Sequence, residues 1–98
     1  MRIAIDQQKF ISNYWNIQNG ANRTYLFGSR VDDAKKGGDI DIIVLSENKI
    51  HHTEIFKMKM EFCSKFGAQK LDIINLEFDN TTEFKKHVLS YAKLLSHE

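Results

Sequence analysis

The spacing of apolar residues changes along the chain and predicts an alternation of helices and strands. In three segments apolar residues recur every three to four positions, as on one side of a helix, and Ile55, Met58 and Phe62 show this spacing clearly. Between these segments lie short runs rich in β-branched and aromatic residues, which favour strands. We predict helices at about 6–18, 52–66 and 80–95, and strands at about 23–27, 39–45 and 70–76.

Polar residues and glycines at the predicted helix ends support these boundaries. Asp6 can cap the first helix, and Gly20 and Gly67 can end the first and the second. Asn80 with Glu83 forms a capping-box pattern at the start of the last helix. The expected apolar face of that last helix consists of Phe84, Val88, Tyr91 and Leu95.

The order of elements predicts an α/β fold of the α+β type. The run from Ile42 to Leu45 is apolar at every position, which indicates a strand covered on both faces. The order helix, strand, strand, helix, strand, helix favours a small mixed β-sheet with helices packed mainly on one face. We expect a single domain over residues 1–98. The longest irregular connection, from Gly28 to Gly38, is where functional residues are most expected.

Charge and cysteine content narrow the functional classes. Fourteen basic and 13 acidic residues give a formal net charge of +1, which argues against direct nucleic-acid binding through bulk charge. No apolar run approaches the roughly 20 residues that span a bilayer, so we expect no membrane association. The single cysteine, Cys63, cannot form an internal disulfide, and we therefore expect a reducing, cytoplasmic location.

A glycine and a serine at the end of the first predicted strand are candidates for phosphate binding. Gly28 lets the backbone approach a ligand closely. A turn there exposes backbone N–H groups, which can bind phosphate oxygens together with the hydroxyl of Ser29. The guanidinium of Arg30 also suits phosphate. Gly28, Ser29 and Arg30 are therefore the predicted nucleotide-binding residues.

Three aspartates are the candidate metal ligands. Asp39 and Asp41 lie two residues apart on a predicted strand, so both carboxylates point to one face, and the polar part of that face ends at Asp41. Two such charges repel each other unless a cation compensates, and Mg²⁺ prefers carboxylate and phosphate oxygens. Asp72 lies in an otherwise apolar strand, where an acid is costly unless it is paired or bound to metal. If the two strands are neighbours, the three acids converge.

The segments Gly28-Ser29-Arg30 and Asp39-Ile40-Asp41 together resemble the signature of the DNA polymerase β-like nucleotidyltransferase superfamily. The segment Leu26–Arg30 is similar to its minimal nucleotidyltransferase (MNT) branch, of the MntA antitoxin type. The resemblance covers the elements from about Arg23 to Leu76. Gly38 stands where many relatives have serine, and the connection to the first acid is one residue shorter, but neither change removes an expected metal ligand.

This resemblance implies a polymerase β-like core and a role for each candidate residue. Gly28 and Ser29 would contact the triphosphate of ATP, and Asp39 and Asp41 would bind two Mg²⁺ ions. Asp72 would complete the metal site and help to activate the acceptor hydroxyl.

The resemblance also implies an activity and a partner. It indicates a Mg²⁺-dependent nucleotidyltransferase that transfers AMP from ATP to a hydroxyl of a partner protein. That partner would be a helical HEPN-type ribonuclease encoded nearby, and the chain its antitoxin. One alternative is a catalytically silent nucleotide-binding subunit that neutralises the partner by occlusion. A weaker alternative is transfer to a small-molecule hydroxyl.

Three other residues have the side-chain chemistry of metal sites. His51 and His52 lack acid or cysteine partners at ligand spacing, so we expect them at a solvated helix start. Cys63 lies on the apolar side of its helix, and we expect it to pack in the core.

Overall fold

The computed structural model describes residues 3–14, 22–28 and 39–95. The elements in these residues are α1 (Ile5–Asn13), β1 (Arg23–Phe27), β2 (Ile40–Ser46), α2 (His52–Phe66), β3 (Leu71–Glu77), α3 (Glu83–Leu89) and β4 (Lys93–Leu94). The strands form one sheet in the order β3-β2-β1-β4. β1 is antiparallel to both β2 and β4, whereas β2 and β3 are parallel and are joined by the crossover helix α2. The predicted small mixed sheet is confirmed.

Apolar side chains cover both faces of the sheet. One buried cluster lies between the sheet and helices α1 and α2, and it consists of Ile11, Leu26, Ile40, Ile42, Val44, Ile50, Met58, Phe62, Leu71 and Leu95. A smaller cluster on the opposite face combines Ile43 and Leu45 of β2 with Val88 of α3. The central strand β2 is therefore covered on both sides, as its apolar run predicts. Helices pack mainly on one face, with α3 on the other.

Helix α2 has the bounds that the sequence predicts. Its N-cap is His51, whose Nδ1 accepts a hydrogen bond from the backbone N–H of Thr53 at 3.2 Å. Its C-cap is Gly67, which has a φ of 95° and whose N–H donates a hydrogen bond to the carbonyl of Cys63. Met58 and Phe62 are fully buried against the sheet. None of the helices in the described parts of the chain is long and apolar enough to cross a bilayer.

The buried and exposed sides of α2 predict losses of stability of very different size for the same kind of substitution. Phe62→Ala removes a ring that is 0% exposed and should lower the free energy of unfolding by about 3–5 kcal/mol. Phe56→Ala, on the same helix but 64% exposed, should change it by less than about 0.5 kcal/mol. Urea denaturation followed by circular dichroism measures both values. Equal losses in the two variants would contradict the assignment of the buried face.

The prediction of one helix from 80 to about 95 is wrong. Helix α3 ends at Leu89, and Lys93–Leu94 form β4 against β1, with the N–H of Leu95 donating to the carbonyl of Thr24 at 2.8 Å. Val88 and Leu95 are seven residues apart and would share one side of a continuous helix. In the structure they are buried on opposite faces of the sheet, so the chain leaves the helix and passes the outer edge of β1. Phe84 and Tyr91 of the expected apolar face are 47% and 39% exposed.

Two of the predicted caps are also wrong. The N-cap of α3 is Thr82, whose hydroxyl accepts from the N–H of Lys85 at 3.3 Å. Asn80 instead accepts from the N–H and hydroxyl of Thr82 and shapes the preceding turn. The N-cap of α1 is Ala4, and Asp6 lies in the first turn. The predicted continuation of this helix to residue 18 and its end at Gly20 lie outside the described residues.

Candidate active site

The strand register brings two of the predicted metal ligands side by side. β2 and β3 pair in parallel with Asp41 opposite Asp72, and β1 pairs with β2 so that Phe27 is opposite Asp41. Both carboxylates lie on the α3 face of the sheet, because Ile43 and Ile74, two residues further along each strand, pack in the cluster there. The polar part of this face therefore ends at Asp41, as predicted, and the adjacency on which the role of Asp72 depends is present.

The third aspartate lies just before β2 and close to the pair. Asp39 is two residues before Asp41, and its negative charge reaches the Asp41 carboxyl strongly enough to affect the Asp41 pKa. The side chains of Asp39 and Asp72 are 45% and 44% exposed. Asp72 is therefore less buried than its apolar strand predicts, because this end of the sheet is open to solvent.

Burial and charge together shift the titration of the central carboxyl. The pKa of Asp41 is raised above its ordinary value, first by burial and then by the negative charges of Asp72 and Asp39, while Lys70 opposes the shift. The ionised form of Asp41 is therefore disfavoured in the metal-free chain. A divalent cation at this place would favour the ionised form again.

Gly28 directly follows β1 and lies against the Asp41 carboxylate. Its φ is +75°, a conformation that residues with a side chain rarely adopt. A Cβ at this position would overlap Oδ2 of Asp41. The glycine thus allows the turn after β1 and also leaves room for the carboxylate. A turn at this position is what the sequence predicts, although contact with phosphate stays a prediction.

Lys70 is a charged residue of the site that the sequence analysis did not identify. Its Nζ is 3.4 Å from Oδ2 of Asp39 and 4.0 Å from Oδ2 of Asp72. Its carbonyl accepts a hydrogen bond from the N–H of Ile40 at 3.1 Å, which fixes its backbone beside the start of β2. The negative charges of Asp39 and then Asp72 raise the pKa of Lys70. The signal in the sequence is its position two residues before Asp72, which places both side chains on one face.

The donor set fits a divalent cation in its chemistry. Three carboxylates at one end of the sheet, two of them directly opposite each other, are ligands that Mg²⁺ prefers. Within the described parts of the chain, however, no three carboxylate, imidazole or thiolate groups are already arranged to enclose a metal. The carboxylates are close enough to repel each other, and the ammonium of Lys70 forms ion pairs with two of them. Reorientation of these exposed side chains would have to accompany metal binding.

Two of the predicted nucleotide-binding residues follow Gly28 directly in the chain. Ser29 and Arg30 belong to residues 29–38, which lie outside the described residues. Their predicted contacts with phosphate therefore stay predictions. The chain positions on either side of that segment, Gly28 and Asp39, both belong to the acidic end of the sheet.

The remaining candidate metal ligands of the sequence are two histidines and a cysteine. His51 and His52 are exposed and stack at 4.3 Å between ring centroids at the start of α2, as predicted. Cys63 is half-buried rather than fully in the core, with its Sγ 3.6 Å from the carbonyl of Gln69.

A cavity of about 460 Å³ lies near the other end of the parallel strands. It is lined by Lys49, Ile50, His51, His52, Ile55 and Asn75. The amide of Asn75 already bonds the N–H of Ile50, the carbonyl of Val44 and the hydroxyl of Ser46. These bonds hold the β2–α2 connection in place, so we favour the acidic end of the sheet as the site.

Solved structures with this fold contain toxin–antitoxin proteins. A chain of the complex of the tri-AMPylated HEPN toxin of Shewanella oneidensis with its MNT antitoxin matches with a TM-score of 0.66 and 20% identity, over 94% of this chain and 71% of that one. A chain of a mutant MntA–HpeT toxin–antitoxin complex matches with a TM-score of 0.70 and 18% identity, over 93% and 73%. At such identities the similarity establishes the fold. No curated protein sequence is significantly similar.

The family assignment comes from the sequence match. The family model described as "Polymerase beta, Nucleotidyltransferase" matches residues 9–98. This range contains every element of the sheet and all of the candidate site residues. The superfamily that the Gly-Ser-Arg and Asp-Ile-Asp segments predict is confirmed. The chain therefore belongs to the polymerase β nucleotidyltransferase family.

Proposed function

We propose that this chain transfers AMP from ATP, in the presence of Mg²⁺, to a hydroxyl of a HEPN-type partner protein. The observation that carries the proposal is the pairing of Asp41 with Asp72 at the strand end that Gly28 contacts, in a chain of this family. The transfer would act as an antitoxin mechanism in the cytoplasm, with residues 1–98 forming a single catalytic domain. Polymerase β-type transfer needs carboxylates that hold cations beside a triphosphate, and this edge of the sheet offers them.

Each side chain has a defined task in the proposed reaction. Bound Mg²⁺ would supply charge neutralisation of the triphosphate and activation of the acceptor oxygen. Asp39 and Asp41 would hold the cation at the strand end, and the absence of a side chain at Gly28 leaves room for the Asp41 carboxylate. Ser29 and Arg30 are proposed to bind the phosphates from the loop that follows. Asp72 is proposed to complete the carboxylate set and take the proton of the acceptor hydroxyl.

The proposed transfer is a nucleophilic substitution at the α-phosphorus of ATP. The acceptor oxygen forms a bond to the α-phosphorus of ATP while the bond from that phosphorus to the bridging oxygen of the leaving pyrophosphate breaks. The hydroxyl proton passes to Asp72 and then to solvent. The products are an AMP ester of the acceptor and pyrophosphate.

A protein acceptor is supported by the structures that share the fold. One of them contains an AMPylated HEPN toxin together with an MNT antitoxin. The described part of this chain has an open carboxylate site, with the Asp39 and Asp72 side chains nearly half exposed. An open site of this kind can admit a hydroxyl presented by another protein.

The direct test combines the purified chain with the HEPN-like protein encoded nearest to it. We expect ATP and Mg²⁺ to add the mass of one or more AMP units to the partner, with release of pyrophosphate. Intact-mass spectrometry measures the AMP-modified partner, and an assay coupled to inorganic pyrophosphatase measures the released pyrophosphate. Controls without Mg²⁺ or with a non-hydrolysable α,β-methylene ATP should show neither product. Absence of any mass gain on either protein under complete conditions would reject the transferase proposal.

A second candidate is neutralisation by occlusion without catalysis. Exposed apolar side chains around the C-terminal elements favour it: Phe84, Tyr91 and Leu94 are 47%, 39% and 50% exposed. Such side chains are typical of surfaces that contact a partner. If occlusion alone neutralises the partner, an Asp41→Asn chain should still block its ribonuclease activity.

A further inference from the structure

The ammonium group of Lys70 forms ion pairs with two carboxylates of the site. It lies within 4.0 Å of the carboxylates of both Asp39 and Asp72, while the backbone carbonyl of Lys70 accepts a hydrogen bond from the N–H of Ile40, the first residue of β2. The backbone is thus fixed, whereas the side chain is 68% exposed and has a flexible four-carbon stem. The cation can therefore leave the carboxylates without disturbing the sheet.

Repulsion among the carboxylates explains why the ammonium of Lys70 lies beside them in the metal-free chain. Asp41 and Asp72 are opposite each other across the parallel pair, and Asp39 adds a third negative charge. Repulsion among these groups is reduced by an ammonium that contacts two of them. A divalent cation needs the same carboxylate oxygens, so the ammonium and the metal compete for them.

We propose that Lys70 is a displaceable counter-ion, which holds the metal-free carboxylates and must withdraw when a divalent cation binds, and so sets the Mg²⁺ concentration at which the site fills. The ammonium of Lys70 lies within 4.0 Å of carboxylate oxygens that would bind the metal ion. A divalent cation that binds these carboxylates is therefore repelled by the ammonium, and some repulsion remains after the lysine side chain has moved into solvent. The proposal rests on the metal site of the proposed function and adds a residue that regulates how that site is filled.

The test compares divalent-cation binding by four versions of the chain. Lys70→Gln removes the charge, Lys70→Arg keeps it, and Lys57→Gln removes the charge of an exposed lysine on α2. Binding is followed directly by electron paramagnetic resonance of free Mn²⁺, and by the increase in melting temperature across a Mg²⁺ titration. Neither measurement depends on catalysis or on a partner protein.

We expect Lys70→Gln to bind the cation roughly three- to tenfold more tightly than the wild type, as removal of a unit charge a few ångströms from a divalent ion in screened water predicts. Lys70→Arg and Lys57→Gln should stay within about twofold of the wild type, because the first retains the local charge and the second changes it elsewhere. Metal-free Lys70→Gln should melt below Lys57→Gln, because its carboxylates have lost their counter-ion.

The outcomes separate this inference from the proposed function. Equal or weaker binding by Lys70→Gln, with a wild type that binds the cation, would overturn the counter-ion role and leave the transferase proposal standing. Tighter binding by Lys57→Gln to the same extent would also overturn it, since the effect would then come from net charge. A wild type that binds neither Mn²⁺ nor Mg²⁺ would overturn both.

Discussion

Asp41→Asn should reduce AMP transfer to the partner protein by roughly 10³-fold, the scale expected when a major electrostatic element of a site is removed. Asp41 is the central member of the carboxylate set, opposite Asp72 and against Gly28, so its charge is the one that a bound cation would most need. The amide keeps the shape of the side chain but provides no negative charge. Single-turnover transfer rates at saturating ATP and Mg²⁺, read by mass spectrometry, measure the loss.

The same variant should remain folded, which separates catalysis from stability. The pKa of Asp41 is raised in the folded chain, so its ionisation has a stability cost, which develops as the pH rises from the ordinary pKa of an aspartate to the raised value and persists above it. Asparagine removes this cost, and metal-free Asp41→Asn should therefore melt at or slightly above the wild-type temperature at neutral pH. At a pH low enough to protonate Asp41, the two chains should converge.

A matched control is available in the turn after β3. Asp79 is exposed, and Asp79→Asn removes the same charge away from the site. We expect its transfer rate to stay within about twofold of the wild type, as for a surface substitution. Full transfer by Asp41→Asn, or an equal loss in Asp79→Asn, would contradict the assignment of Asp41 to the reaction.

Gly28→Ala should impair both folding and transfer. The positive φ of Gly28 strains any residue with a side chain and should cost about 1–2 kcal/mol of unfolding free energy. In addition, the new Cβ would overlap the Asp41 carboxylate and displace it. Because a displacement of about 1 Å can lower a rate 10²-fold, we expect a transfer loss of at least that order.

Gly67→Ala separates the two effects. Gly67 has a similarly positive φ of 95°, but nothing lies within 4 Å of a Cβ built there. Its alanine variant should lose comparable stability in urea denaturation and keep its transfer rate. If both glycine variants lose transfer equally at matched folded fractions, the contact between Gly28 and Asp41 has no special role.

The short-range patterns of the sequence are sufficient for most of the secondary structure. α2 begins and ends where apolar spacing and Gly67 place it, and β1 has its predicted bounds, because both depend on residues near in the chain. β2 and β3 differ from prediction by only one residue at each end. The apolar run in β2 also indicates cover on both faces, which the two clusters provide.

The C-terminal elements show where such patterns fail. Phe84, Val88, Tyr91 and Leu95 have helical spacing, yet the helix ends at Leu89. The unpaired edge of β1 accepts β4, and Leu95 fills the core on the other face from Val88. Neither the free edge nor the second face can be identified from residues that are local in sequence.

By itself, the sequence determined the family, the two segments that carry its signature and the three aspartates of the candidate site, because these depend on residue type and on short spacing. Only the tertiary structure decided that Asp72 lies opposite Asp41, since the register of two strands depends on contacts between residues that are about 30 positions apart in the chain. It also showed that Gly28 leaves room for Asp41 and that Lys70 supplies a cation to the carboxylates. Those relations arise from packing between strands, where chain distance and spatial distance differ most.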